Sequence, residues 1–359
     1  MPALPRYNMN MKKLIFMVLV SWALSSHGQE VRPVRDDVGF CWQRPQMQRL
    51  MTLLAAKGHP DFAAQDLVAG ISPHDDYLYA GRVYYPLFRK LRTREAVIFG
   101  VTHGAVRKEI GDPRGILLLD EFRSWSGLGG DVPISPLREW LKSHLDKEDY
   151  AVSNRAHSLE HSIEALVPFL QYDNPGIRIT PIMVTAMPFE RMELLSERLA
   201  DAIAGYMRAN RLLAGRDIFF LISADANHYG RDFDNVPYGE DEKAHAQGTG
   251  RDRGIARAAV DGELDGQKVR KLTQELWGAT YLDPRDTYWC GKYDIPFGLL
   301  AIGKTVRKAT GRNLKGRLLR YSDTYSEGVL PLRKAGFGIT APYSLKHWVG
   351  FFSAGFFLD

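Results

Sequence analysis

The sequence predicts an α/β fold: a single three-layer α/β/α domain around a central mixed, mainly parallel sheet. Near-continuous apolar runs of strand length occupy residues 67–72, 96–101, 177–184 and 217–223, the pattern of strands covered on both faces. Amphipathic helical stretches alternate with them. No Pro/Ser-rich linker and no internal repeat interrupts the alternation, so one domain carries it. The 359 residues, 45% hydrophobic and 25% charged, suffice for a large core and exclude a disordered, collagen-like or disulfide-dense chain.

Taken in order, residues 1–28 read as a secretory signal peptide. Arg6, Lys12 and Lys13 precede a largely apolar run over 14–24. Ser25-Ser26-His27-Gly28 then places cleavage before Gln29. As a helix that run reaches ~16 Å, about half the hydrocarbon core, too short for a permanent span. The remaining 29–359 form the α/β domain, expected to be exported: periplasmic or secreted.

A strand over 67–72 ends in Pro73-His74, and Val83, Tyr84, Leu87, Phe88 and Leu91 mark a helix over 81–91. The strand over 96–101 ends in Thr102-His103. A strand over 115–119 and a helix over 137–145 follow. Ile163, Leu166, Val167 and Leu170 predict one amphipathic helix over 158–172. Next come a strand (177–184), a helix (190–210) and a strand (217–223). Helices are expected over 243–260, 265–276 and 295–308, and late strands over 317–321 and 336–341. The glycine clusters at 127–130 and 248–250 read as turns, and Arg251-Asp252-Arg253 as a solvated face.

The formal net charge of +5 falls to +2 without residues 1–28, which hold three basic residues and no acid. No basic-aromatic stripe accompanies it, so the charge does not argue for nucleic acid.

Ligands of open α/β sheets bind beyond the carboxyl ends of the strands. His74, His103 and His228 fall at such ends, the last with Asp225 nearby, and imidazole is both a metal ligand and a proton carrier. Cys290 precedes the helix over 295–308, where the macrodipole favours a thiolate; a buried free thiol and a disulfide with Cys41 are the alternatives. His157-Ser158-Leu159-Glu160-His161 matches the H-x-x-E-H pattern of inverted zinc peptidases, which needs both histidines on one helix face.

Six short motifs in order resemble the Memo family, whose bacterial members are called AmmeMemoRadiSam system protein B. They are Gly39-Phe40-Cys41-Trp42, the stretch from Ser72 to Gly81 (SPHDDYLYAG), Phe99-Gly100-Val101-Thr102-His103, Glu160-His161-Ser162-Ile163-Glu164 with Pro168-Phe169, the stretch from Ser223 to Gly230 (SADANHYG), and Cys290-Gly291. The resemblance implies a fold related to LigB-like class III extradiol dioxygenases. It also implies a mononuclear metal held by His74, His103 and Cys290. Iron or copper suits that mixed set, and zinc is also admissible.

The same resemblance implies His228, Asp225 and Tyr79 as catalytic residues, with His228 as a near-neutral acid/base oriented by Asp225. Trp42, Asp75, Asp76, Glu160 and His161 would complete the pocket. Pro-His-Asp-Asp-Tyr and Val-Thr-His depart from the family's usual Pro-His-Ala-Gly-Tyr and Pro-Ser-His. If the family geometry holds, Cys41 lies near Cys290, and a bridge between them would remove the thiolate ligand. The implied chemistry is redox or oxygen-linked and acts on a small molecule. A non-catalytic metal-binding or adaptor protein is the alternative, ahead of an H-x-x-E-H metallopeptidase. Radical-SAM and AMMECR-type proteins associated with the family would not readily meet an exported copy.

Overall fold

Strands buried along their whole length lie side by side at the centre of the protein. A computed structural model describes residues 30–57, 66–332 and 336–359; the expected leader lies outside the described residues. In chain order the strands of the main sheet are β1 (Leu67–Ser72), β2 (Glu95–Val101), β3 (Leu117–Leu119), β4 (Tyr150–Val152), β5 (Arg178–Val184), β6 (Ile218–Ser223), β7 (His228–Gly230), β8 (Gly262–Glu263), β9 (Leu314–Asp323) and β10 (His347–Leu358). Across the sheet they run β8-β9-β10-β1-β6-β2-β5-β3-β4, with β7 paired to β10 off this path. β1, β6, β2 and β5 are parallel. The pairs β9–β10, β10–β1 and β5–β3 are antiparallel, which makes the sheet mixed as predicted.

Alternation along the central strands sorts side chains into two cores. Val97 and Phe99 of β2 join Phe220 and Ile222 of β6 against Leu195, Leu199 and Phe297, from the helices Phe189–Ala209 and Asp294–Thr310. Ala96, Ile98, Phe219 and Leu221 point the other way, toward Tyr84 and Leu87 of the helix Tyr77–Phe88 and toward Phe169. Each fully buried residue of this size contributes about 1.5–3 kcal/mol, so helices are needed on both faces. The three layers follow.

Four expectations need correction. The single helix over 158–172 is instead a short helix, Asn154–Leu159, a break at Glu160, a 3₁₀ turn, Glu164–Leu166, and a second helix, Val167–Asp173. Glu160 is extended there (φ −90°, ψ 140°), and its carboxylate accepts from the backbone N–H groups of His161 and Ser162, which would otherwise sit in a helix. The region 336–341 is a loop rather than a strand, because the Thr340 N–H and hydroxyl bind the Asp76 carboxylate. The strand that pairs between β9 and β1 is β10, which lies further on. Finally, Gly248 and Gly250 lie inside the helix Glu242–Val260. The same helix carries Asp252, which is fully buried and bonded to Trp289 and Tyr321 rather than solvated.

Candidate metal centre

β6 lies between β1 and β2, and its last residue, Ser223, is level with Ser72 on one side and Gly100 on the other. Three neighbouring chain ends therefore open at one height, leading into Pro73-His74, Thr102-His103 and Asp225. The fourth contributor, Trp289-Cys290-Gly291, is held against them by a bridge from Asn227 to Trp289. Gly291 permits this approach: a Cβ there would stand 2.7 Å from that of Ala224. The ligand atoms of His74, His103 and Cys290 consequently all lie within 4.8 Å of one another.

Hydrogen bonds decide which ring nitrogens face the cluster. The Ser223 hydroxyl donates its one proton to the Ser162 carbonyl (2.6 Å), so it accepts from His74 Nδ1–H (3.3 Å). His74 Nε2 keeps its lone pair and stands 3.5 Å from Cys290 Sγ. His103 Nδ1 donates to Glu160 Oε1 at 2.8 Å, which turns Nε2 of that ring into the acceptor. Carboxylate and hydroxyl partners of this kind orient metal-binding imidazoles. Glu160 also accepts from the His103, His161 and Ser162 N–H groups at 2.8–3.0 Å. Burial pushes its carboxyl up, but His103 and these donors outweigh burial and leave it well below its ordinary range.

The remaining charges sharpen the picture. Burial, then Asp225 and Asp294, push the Cys290 thiol well above its ordinary value, so the helix that starts at Asp294 does not by itself make a thiolate. A cation in the cluster would reverse that balance. Burial and the neighbouring histidines hold His74 well below its usual range, and His161 down to about 4. His161 stacks on His103 with ring centroids 4.9 Å apart. His228 is pushed down to about 3, mainly by burial, and its Nε2 is buried without a partner among the described residues. Two oriented imidazole nitrogens, a thiol and an orphaned third imidazole form a donor set that fits a borderline transition metal.

Asp225 does not orient His228 as expected. Its carboxylate accepts from the His74 N–H (3.0 Å) and lies 3.4 Å from His74 Nε2, while burial raises it to about 7. Asp225, His228 and Cys290 nevertheless form a second, overlapping group of ligand atoms. These residues, with Asp75, Asp76 and His161, line a cavity of about 580 Å³. Tyr79 and Trp42 stand behind its wall instead: the Tyr79 hydroxyl donates to the Ala341 carbonyl and Trp42 Nε1 to that of Asp36. Glu160 sits beneath His103. A larger groove of about 940 Å³ runs beside the helices Glu242–Val260 and Gly266–Leu276, but no imidazole or thiol lines it.

The H-x-x-E-H geometry is absent. His157 lies in the short helix and donates through Nε2–H to the Leu118 carbonyl, whereas His161 follows the break. Both cysteines are free thiols, and Cys41 is buried in the apolar core with Phe40 and Tyr77. Two lining cations, Arg107 and Lys292, escaped the sequence reading. The signal was available: Arg107 follows His103 by about one helical turn, and Lys292 follows Cys290 by two residues.

Comparison with known proteins identifies the family. A family model described as Memo-like protein matches residues 43–328. A MEMO1 family protein of Pyrococcus horikoshii is 24% identical over 235 residues, covering 59% of this chain and 71% of the relative. One from Saccharolobus islandicus is 32% identical over 167 residues, covering 44% and 52%. A third, from Pyrococcus abyssi, is 27% identical over 240 residues, covering 60% and 72%. With most of its length matched by the family model, the chain belongs to the Memo-like family.

Proposed function

We propose that this protein binds one transition-metal ion through His74 Nε2, His103 Nε2 and Cys290 Sγ and uses it on a small organic molecule held in the adjoining cavity. The observation that carries the reading is the convergence of one ligand atom from each of these three residues within 4.8 Å, with both imidazoles tied back through Nδ1. Iron or copper fits the mixed nitrogen and sulfur set, and zinc would also be accepted. Such an ion, when bound, would supply redox or oxygen-linked chemistry or polarise a substrate oxygen.

The chain's own residues do the rest. Glu160 and Ser223 keep the two rings turned inward. His228 is held neutral, down at about 3 by burial, so it is not the near-neutral acid/base that the sequence suggested; its buried Nε2 instead offers a further nitrogen donor or hydrogen-bond partner beside the ligand set. Asp225 sits beside Cys290 and His74: its backbone N–H donates to the Cys290 sulfur and would favour the thiolate, while its carboxylate accepts from the His74 N–H. The leader pattern over residues 1–28 supports an exported, periplasmic or secreted protein. That setting favours a free small molecule over radical-SAM or AMMECR-type partners.

Metal analysis of the purified protein tests the reading. About one ion per chain is expected, with loss of most of it in His74→Ala, His103→Ala and Cys290→Ala. His157→Ala, which removes a histidine remote from the cluster, should keep the metal. Full retention in the first three variants, or loss confined to His161→Ala, would overturn it.

A further inference from the structure

One wall of the cavity carries two cations, Lys292 and Arg107, that no carboxylate meets at hydrogen-bond distance among the described residues. Lys292 is 6% exposed; its Nζ donates to the Leu282 carbonyl at 3.0 Å and lies 5.8 and 5.2 Å from the ring centroids of Tyr288 and Tyr293. Asp283 acts on it only from further off. Arg107 has Nη1 3.8 Å from Asp112 Oδ1, longer than a hydrogen bond, while its Nε is buried without a partner among the described residues. Its Nη2 stands 3.7 Å from where a Gly104 Cβ would be, a close approach that the glycine keeps open. Lys292 is the buried one of the two and Arg107 is partly exposed, so the wall offers two cationic heads whose hydrogen-bonding capacity toward an anion is not filled by a carboxylate.

The cavity's anions are differently placed. Asp36 accepts from Val38 and Gly39, Asp76 from Thr340, Asp225 from His74 and Asp232 from His347. These four are engaged by donors of the wall; a fifth carboxyl, Asp75, also lines the cavity. The two cations act on each other, and Arg107 also acts on His103, so they stand within electrostatic range of the candidate centre.

We propose that Arg107 and Lys292 form a carboxylate-binding wall, so that the substrate of this cavity is a small organic acid. Arginine offers a planar fork and lysine a point charge, a pairing suited to a carboxylate approached from two directions. With its acid group on that wall, the remainder of the molecule would extend over His74, His103 and Cys290. That orientation rests on the metal-centre reading above; the anion preference does not.

The test compares benzoate with its neutral isostere benzamide and with benzylamine, by saturation-transfer NMR titration of the full chain as purified, in phosphate-free buffer. Benzoate should bind at least about tenfold more tightly than benzamide. Arg107→Gln and Lys292→Met should each remove most of that preference while leaving benzamide binding unchanged, which reports an intact cavity. Equal binding of benzoate and benzamide, preference for benzylamine, tighter binding of inorganic phosphate, or a preference that survives in both variants would overturn the proposal. Metal analysis of the same samples reports separately on the centre. A metal-free protein that still prefers benzoate would sink the centre and leave the carboxylate wall standing.

Discussion

Glu160 shows how much of the site depends on one side chain that need touch neither metal nor substrate. Its Oε1 accepts from His103 Nδ1 and from the His161 and Ser162 N–H groups, and its Oε2 from the His103 N–H. Every neighbour is a donor. In Glu160→Gln the new amide nitrogen must face at least one of them, which costs about 1–3 kcal/mol and frees the His103 ring to turn. The expected outcome is a roughly 10–100-fold loss of metal affinity with the fold retained, read by competition with a metal-binding dye and by circular dichroism. Unchanged affinity would mean that His103 needs no anchor. The sequence made Glu160 visible in a misleading helical motif and, through the family resemblance, as a pocket residue, but not as the anchor of His103. Its partner lies 57 residues away, a pairing that no local spacing announces.

The elements that deliver the site are joined by a second buried carboxylate, Asp252. From the helix Glu242–Val260 it accepts from Trp289 Nε1 (2.5 Å), beside Cys290, and from the Tyr321 hydroxyl (2.7 Å) on β9. Burial raises its carboxyl to about 7 against an ordinary 3.8. The folded protein therefore keeps a proton that the unfolded chain releases, and stability falls as pH rises from 3.8 to about 7, then levels off. Asp252→Asn cannot titrate. The stability of the wild type relative to this variant should decline by on the order of 3 kcal/mol between about pH 5 and about pH 8, measured by urea unfolding. A constant difference would mean that Asp252 is ionised throughout.

The same element shows where sequence patterns stop informing. Strands β1, β2, β5 and β6 were legible because burial on both faces writes an apolar run. Asp252 was not, since an alternating charge triplet looks solvated unless Trp289 and Tyr321, 37 and 69 residues distant, are known to meet it. Likewise the helical period through Ile163, Leu166 and Leu170 continues across a break that tertiary contacts impose.

At the scale of the molecule, the centre draws its ligands from loops after β1 and β2 and from the approach to the helix Asp294–Thr310, so 216 residues separate His74 from Cys290. His74, His103 and His228 could be picked out as strand-end residues, but their meeting depends on β6 inserting between β1 and β2, which only the sheet order reveals. An unfolded chain cannot hold ligands so far apart in one geometry, so a metal bound to the folded state stabilises the whole domain by mass action. With free metal near 1,000 times Kd the gain is about 4 kcal/mol, which for a chain of this size raises Tm by roughly 6 °C. Chelation should lower Tm by that amount and readdition restore it, followed by scanning calorimetry. His157→Ala should show the same metal-dependent shift from a lower starting point, because it removes a buried ring but no ligand. His103→Ala should show almost none. A shift that persists in His103→Ala would place the stabilising ion somewhere other than the site of His74, His103 and Cys290.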